Sequence, residues 1–218
     1  VLRCAAWHER LTGMDPVSTT DALHSKAKAI KQDMQTEAYT VNHQAPAMSW
    51  DAHRLTELGT KLCTKRVHRD VMAHACFLLM SSSRYTDGQH ASREKLIFLE
   101  DSTEVDTWST KTTGTDKAKI HQRLIATHCS MTDTKWWTSF RQTHEDWDKL
   151  HTNAPKRDFL FPTPNRNLDG YYLQPCPNNK FLKLYRQALD EMARRHSIDL
   201  KPPPERLFLS SFRVQGPD

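Results

Sequence analysis

No stretch of this chain approaches the roughly 18 consecutive apolar residues of a membrane-crossing helix, so no membrane span is expected. No C-x-x-C pair occurs among the five cysteines, which stand at 4, 63, 76, 129 and 176. An odd, unpatterned set argues against a disulfide framework and for reduced thiols in an intracellular compartment. No zinc-type spacing is present either, because His74 with Cys76, and His128 with Cys129, stand too close together or without further ligands. No metal, and no small-molecule cofactor, is therefore expected. No signal peptide opens the chain, and neither an internal repeat nor a low-complexity tract interrupts it. It begins at Val1 rather than Met and stops at Asp218, and both ends read as the ends of a fragment.

Apolar residues make up 37% of the 218 residues, low for a globular chain, yet several strong apolar runs suffice for a core. The length suits one large domain or one domain with part of a second. Net charge is +5 and the isoelectric point about 9.0. A mild positive excess is compatible with nucleic acid without establishing it.

Residues 1–36 read as helical, with Thr19, Thr20 and Asp21 as candidate N-caps. Residues 39–48 read as an extended linker. Ser49 then reads as the N-cap of a helix to about Lys65, with Leu55, Leu58 and Leu62 at helical spacing. Residues 69–80 form the most apolar helix. Residues 95–127 read as two or three antiparallel strands, one over 95–100 and one over 105–112, with a turn at Thr113, Gly114 and Asp116. Residues 133–150 read as a helix whose Trp136, Trp137, Phe140 and Trp147 pack the domain. Phe159 to Phe161 read as a short extended segment. Asn178 reads as the cap of a helix through Phe181, Leu184, Leu189 and Met192 to about His196. Lys201 to Pro204 read as a stiff spacer.

The most informative stretch is 71–117. An apolar helix runs into a polar break carrying Arg84 and Asp87, and a strand pattern then carries Lys111. An Arg held at the end of a buried helix and a Lys on a following hairpin can converge on one phosphate. Phosphodiester chemistry needs cations aimed at the oxygens where charge develops.

The order helix, Arg-x-x-Asp, hairpin with Lys, helices, then Ser-x-x-Arg resembles the catalytic domain of the tyrosine recombinases, the phage-integrase-like family. The residues that carry the likeness are Ser83, Arg84 and Asp87; Ser109, Lys111 and Gly114; and Leu209, Ser210, Ser211 and Arg213. It runs from about Trp50 to the last residue, and its details are most similar to recombinase-like genes of eukaryotic mobile elements. The resemblance implies an α+β fold, mostly helical with a small three-stranded antiparallel sheet, over 50–218. Residues 41–49 would be a linker, and 1–40 the remnant of a helical DNA-clamping, core-binding domain. It implies DNA recombination or integration, by strand breakage and rejoining without metal or cofactor. Double-stranded DNA is the implied partner, with self-association on paired sites, in the nucleus if the source is eukaryotic. Arg84 and Arg213 would clamp the scissile phosphate, where a planar guanidinium can bind two oxygens at once. Asp87 would buttress Arg84, and Lys111 would be the general acid toward the leaving 5′ oxygen.

The chain departs from the family twice. Ser210 stands where the family has His; it can hydrogen-bond a phosphate but supplies no imidazole chemistry. The family's nucleophilic Tyr lies downstream of the second Arg, and Tyr171, Tyr172 and Tyr185 lie upstream. These 218 residues are therefore expected to hold a phosphate without completing cleavage, or to be a catalytically dead DNA-binding module. A helical interaction protein is the third reading. Each residue also has an ordinary alternative. Arg84 could offset a helix dipole, Asp87 could form a surface pair, and Lys111 could be solvated, with Lys117 and Lys119 as competitors for its role. Arg186, Arg194, Arg195 and His196 could line a DNA-facing surface or a solvated helix face.

Overall fold

The computed structural model describes residues 48–107, 122–152 and 156–207, all within one unit, Ala45–Asp218. The expected helices of 1–36, the turn at 113–116, and Lys111, Ser210 and Arg213 lie outside the described residues.

Helix α1 spans Trp50–Leu62 and begins where expected. Ser49 adopts extended backbone, and its Oγ accepts the Ala52 N–H at 3.2 Å. Its buried face is Ala52, Leu55, Thr56 and Gly59, at i, i+3, i+4 and i+7. Gly59 lets α1 approach the next helix closely, since a Cβ there would stand 2.8 Å from Met72 Cγ. Helix α2, Arg66–Met80, is buried almost all round. It packs against α1, against helix α4 (Trp136–Leu150) and against helix α5 (Asn178–His196), which makes it the central element.

A three-stranded antiparallel sheet joins β1 (Ile97–Phe98), β2 (Ser102–Thr107) and β3 (Gln122–Thr127) in that order. Val105 faces Leu124 and Thr103 faces Ala126, and these four are buried. Glu104 faces Ile125 on the outer side, so the period-two alternation sets the core face. A second, two-stranded sheet pairs β4 (Pro162–Pro164) with β5 (Tyr171–Pro175), a hairpin that the sequence reading left as a single extended segment. The described chain is thus a mixed α+β fold with a small three-stranded antiparallel sheet. No helix among the described residues is long and apolar enough to cross a membrane.

The core is unusually aromatic. Phe77 stacks on Phe140 with centroids 5.0 Å apart, and the ring of Tyr85 stacks on Phe181 at 4.4 Å. Trp136 and Trp147 are buried, and Trp136 Nε1 donates to Cys129 O at 2.9 Å. Trp137 is half-buried and stacks on His128. His74 sits among Phe77, Phe140, Phe161 and Phe181, and neither ring nitrogen has a hydrogen-bond partner among the described residues. Burial, aided by the Arg157 charge, pushes its pKa down to about 3, so the ring is neutral.

Candidate phosphate-binding site at the end of helix α2

Helix α2 ends in a tight reversal. Ser82 takes the left-handed conformation at φ 48°. The Ser83 N–H bonds Leu78 O, and the Ser82 N–H bonds Leu79 O, both at 3.1 Å. This is the Schellman pattern, with serine where glycine is usual. Ser81 Oγ donates back to Phe77 O at 2.7 Å and contacts Ser83 Oγ at 2.7 Å.

The reversal delivers Arg84 to the N-cap position of a one-turn helix, α3, Tyr85–Gly88. Asp87 Oδ2 accepts the Arg84 backbone N–H at 3.1 Å, and Arg84 O accepts the Asp87 N–H at 3.0 Å. The two residues that the Arg-x-x-Asp spacing singled out are therefore joined, through the backbone of Arg84 rather than its guanidinium. Tyr85 anchors the turn from below. Its ring is buried, its hydroxyl donates to Cys176 O at 2.8 Å, and Gln89 bonds that hydroxyl and Phe161. The half-buried Arg84 side chain makes no hydrogen bond or salt bridge with a described residue, so its five N–H donors are uncommitted there. Asp87 Oδ1 is buried and unpartnered among them too.

The end of β2 is stitched to this turn. Thr107 Oγ1 lies 2.9 Å from Asp87 O and 3.1 Å from His90 O, and Ala91 bridges Thr107. Lys111 follows Thr107 by four residues, and four extended residues reach at most about 14 Å. Leu207, three residues before Ser210, is buried, and its carbonyl accepts from Arg186. The sequence reading thus has two site residues, Arg84 and Asp87, brought together, and three, Lys111, Ser210 and Arg213, outside the described residues.

The tyrosines separate by environment. Tyr171 is turned inward, with its hydroxyl 2.5 Å from Asp70 Oδ2, and burial with that carboxylate holds its pKa well above normal. Tyr85 and Tyr185 are buried and likewise raised, chiefly by desolvation. Tyr172, the next residue on β5, faces the other way and is 53% exposed.

The basic cluster on α5 is largely committed to structure. Arg186 bonds Leu207 O, Arg194 pairs with Asp190 at 2.7 Å, and Arg195 bonds Leu62 O. Sequence reasoning missed a different basic surface. Arg166, Lys180 and Lys183 surround a cavity of about 450 Å³ beside Tyr172, with no carboxylate in its wall. Three other cavities mix cations with carboxylates: Arg66 with Asp70, Arg157 with Asp148, Arg141 with Glu145. The missed surface depends on the β4–β5 hairpin folding beside α5, and Arg166 and Lys180 are too far apart in sequence to form a visible patch.

Among the described residues no three of His, Cys, Asp or Glu converge as metal ligands, and the four described cysteines are free. No family model, curated protein or solved structure matches this chain.

Proposed function

We propose that this chain grips a phosphate of double-stranded DNA through Arg84, in the manner of the tyrosine recombinases, with Lys111, Ser210 and Arg213 completing the clamp. The observation that carries the reading is a guanidinium with no partner among the described residues, on a locked turn beside the point where the Lys111 segment leaves β2. Locking the turn matters because a clamp held in place loses less side-chain entropy on binding. Asp87 sets the direction of Arg84 through its backbone, and the unused Asp87 oxygen remains to accept from a donor of the completed site. In this reading the 218 residues supply the phosphate clamp and the hairpin acid of strand breakage and rejoining. Their testable property is DNA binding.

The experiment is duplex binding measured against salt. The log of the affinity should fall linearly with log salt. Arg84→Ala should weaken binding by about 10- to 100-fold, the loss of one charge-assisted contact worth roughly 1.5–3 kcal/mol. It should also lower the salt slope by about one. Unchanged affinity in both Arg84→Ala and Arg213→Ala rejects the shared phosphate site.

A second reading, a DNA-binding module without strand chemistry, is favoured by the carboxylate-free surface around Arg166, Lys180 and Lys183. There Lys183→Ala weakens binding and Arg84→Ala leaves it unchanged.

A further inference from the structure

A second guanidinium, buried and sharing no partner with Arg84 among the described residues, has its charge incompletely matched. Arg157 is 8% exposed and lies over the Trp147 ring at 5.2 Å and the Phe159 ring at 6.0 Å. Its Nη2 is 3.0 Å from His144 Nδ1. A guanidinium has no acceptor, so that ring nitrogen must accept, and His144 is neutral. Burial, with the Arg157 charge beside it, holds His144 far below the usual histidine range. The carboxylate oxygen paired with Arg157, Asp148 Oδ1, is 3.9 Å from the Arg157 Nη2, and the other oxygen of Asp148 is taken by Arg93 Nη2 at 2.7 Å. Two guanidiniums thus share one carboxylate. Nearby Lys156 is matched by Glu94 at 3.0 Å. Three cations, Arg93, Lys156 and Arg157, against two anions, Glu94 and Asp148, leave one positive charge over.

The hydrogen-bond ledger points the same way. Arg157 Nε, Arg93 Nε and Trp147 Nε1 are buried with no acceptor among the described residues. The Nη1 groups of both arginines also make no hydrogen bond with a described residue. All three residues line one cavity of about 300 Å³ between the end of α4, the turn Arg93–Lys95 and β5. An incompletely paired buried charge and unmet buried donors both oppose folding. An anion in the cavity offsets both.

We propose that this cavity binds a tetrahedral oxyanion of phosphate size, held between Arg93 and Arg157. The arginines are the binding residues, since a planar fork suits an oxyanion. Asp148 is the residue that positions them. The chemistry is shared by free inorganic phosphate and by a phosphate carried on a nucleic-acid strand. The site uses none of the residues that hold Arg84.

The test is thermal unfolding of the full chain in inorganic phosphate, with chloride holding ionic strength constant. The melting temperature should rise along a one-site ligand curve. Arg157→Met should abolish the rise, and Arg93→Gln, at a more exposed position, should weaken it at least tenfold and serves if Arg157→Met does not fold. Phosphate also stabilises proteins generally by exclusion from their surface. A rise that persists undiminished in the folded variants is that general effect and overturns the proposal, as does no rise in the wild type. Arg84→Ala should keep the rise, which separates this site from the DNA clamp. Phosphate displaced by a short duplex assigns the site to a strand phosphate, and phosphate that stays bound assigns it to the free ion.

Discussion

Glu57 provides a sharp test of how the fold is held. It lies on α1, fully buried, and its carboxylate receives the entrance to α4. Ser130 Oγ donates at 2.7 Å, the Met131 N–H at 2.9 Å, the Thr132 N–H at 2.9 Å and Thr132 Oγ1 at 2.9 Å. Glu57→Ala removes every one of those acceptors. The hydroxyls have other partners within reach, since Ser130 Oγ also contacts Thr132 O, and Thr132 Oγ1 lies 2.7 Å from Thr134 Oγ1. The Thr132 N–H keeps Ser130 Oγ at 3.2 Å, and the Met131 N–H loses its acceptor. These donors are only partly buried and water can reach them, so the expected loss is that of one or two hydrogen bonds to a charged group, about 2–3 kcal/mol. That is a large share of the 5–15 kcal/mol typical of a domain. Glu57→Gln keeps one carbonyl acceptor but turns its NH₂ toward donors, so roughly half the loss is expected. Urea unfolding is the assay, and the midpoint should fall with little change in slope. A loss below about 1 kcal/mol for Glu57→Ala refutes the view that this carboxylate anchors the loop.

Other consequences are separate from that anchor. Ser82→Gly relieves a left-handed serine at φ 48° and should raise stability by about 0.5–1 kcal/mol, read by urea midpoint. A loss would mean that the Ser82 side chain holds the reversal. His74→Met removes two unpartnered ring nitrogens from an aromatic cage and should stabilise by about 1–2 kcal/mol at neutral pH. With His74 held to about 3 against an ordinary 6.5, the unfolded chain binds the extra proton between those values. Its share of stability is therefore full above about 6.5 and falls as pH drops toward 3, and the Met variant should show a flatter acid limb. An unchanged limb would contradict the burial of the neutral ring.

The main helices were legible because their apolar spacing and one cap are local. Ser49 caps α1 as read, and α5 ends at His196 as read. Helix α5 begins one residue earlier than expected, with Pro177 rather than Asn178 at the cap position and no side-chain cap bond. Leu62, counted with the apolar stripe of α1, is 41% exposed because it closes the last turn, and the small residues Ala52 and Gly59 take the buried face. The β4–β5 hairpin was hidden by its prolines, at 162, 164 and 175, which suppress a strand reading while standing at strand ends. Arg84 and Asp87 were legible through their spacing, although not the serine reversal that aims them, since no glycine marks it. The Arg93–Arg157 cavity was invisible, because it rests on a contact across 64 residues, Arg93 N–H to Arg157 O at 3.0 Å.

The convergence of Arg84 and Arg213 on one DNA phosphate is tested most directly by a double-mutant cycle on duplex affinity. Arg84→Ala, Arg213→Ala and the double variant are titrated at one low salt concentration. Two cations on the same phosphate should be coupled, with the double loss differing from the summed single losses by at least about 0.5 kcal/mol. Strict additivity, or no loss in either single variant, contradicts a shared site.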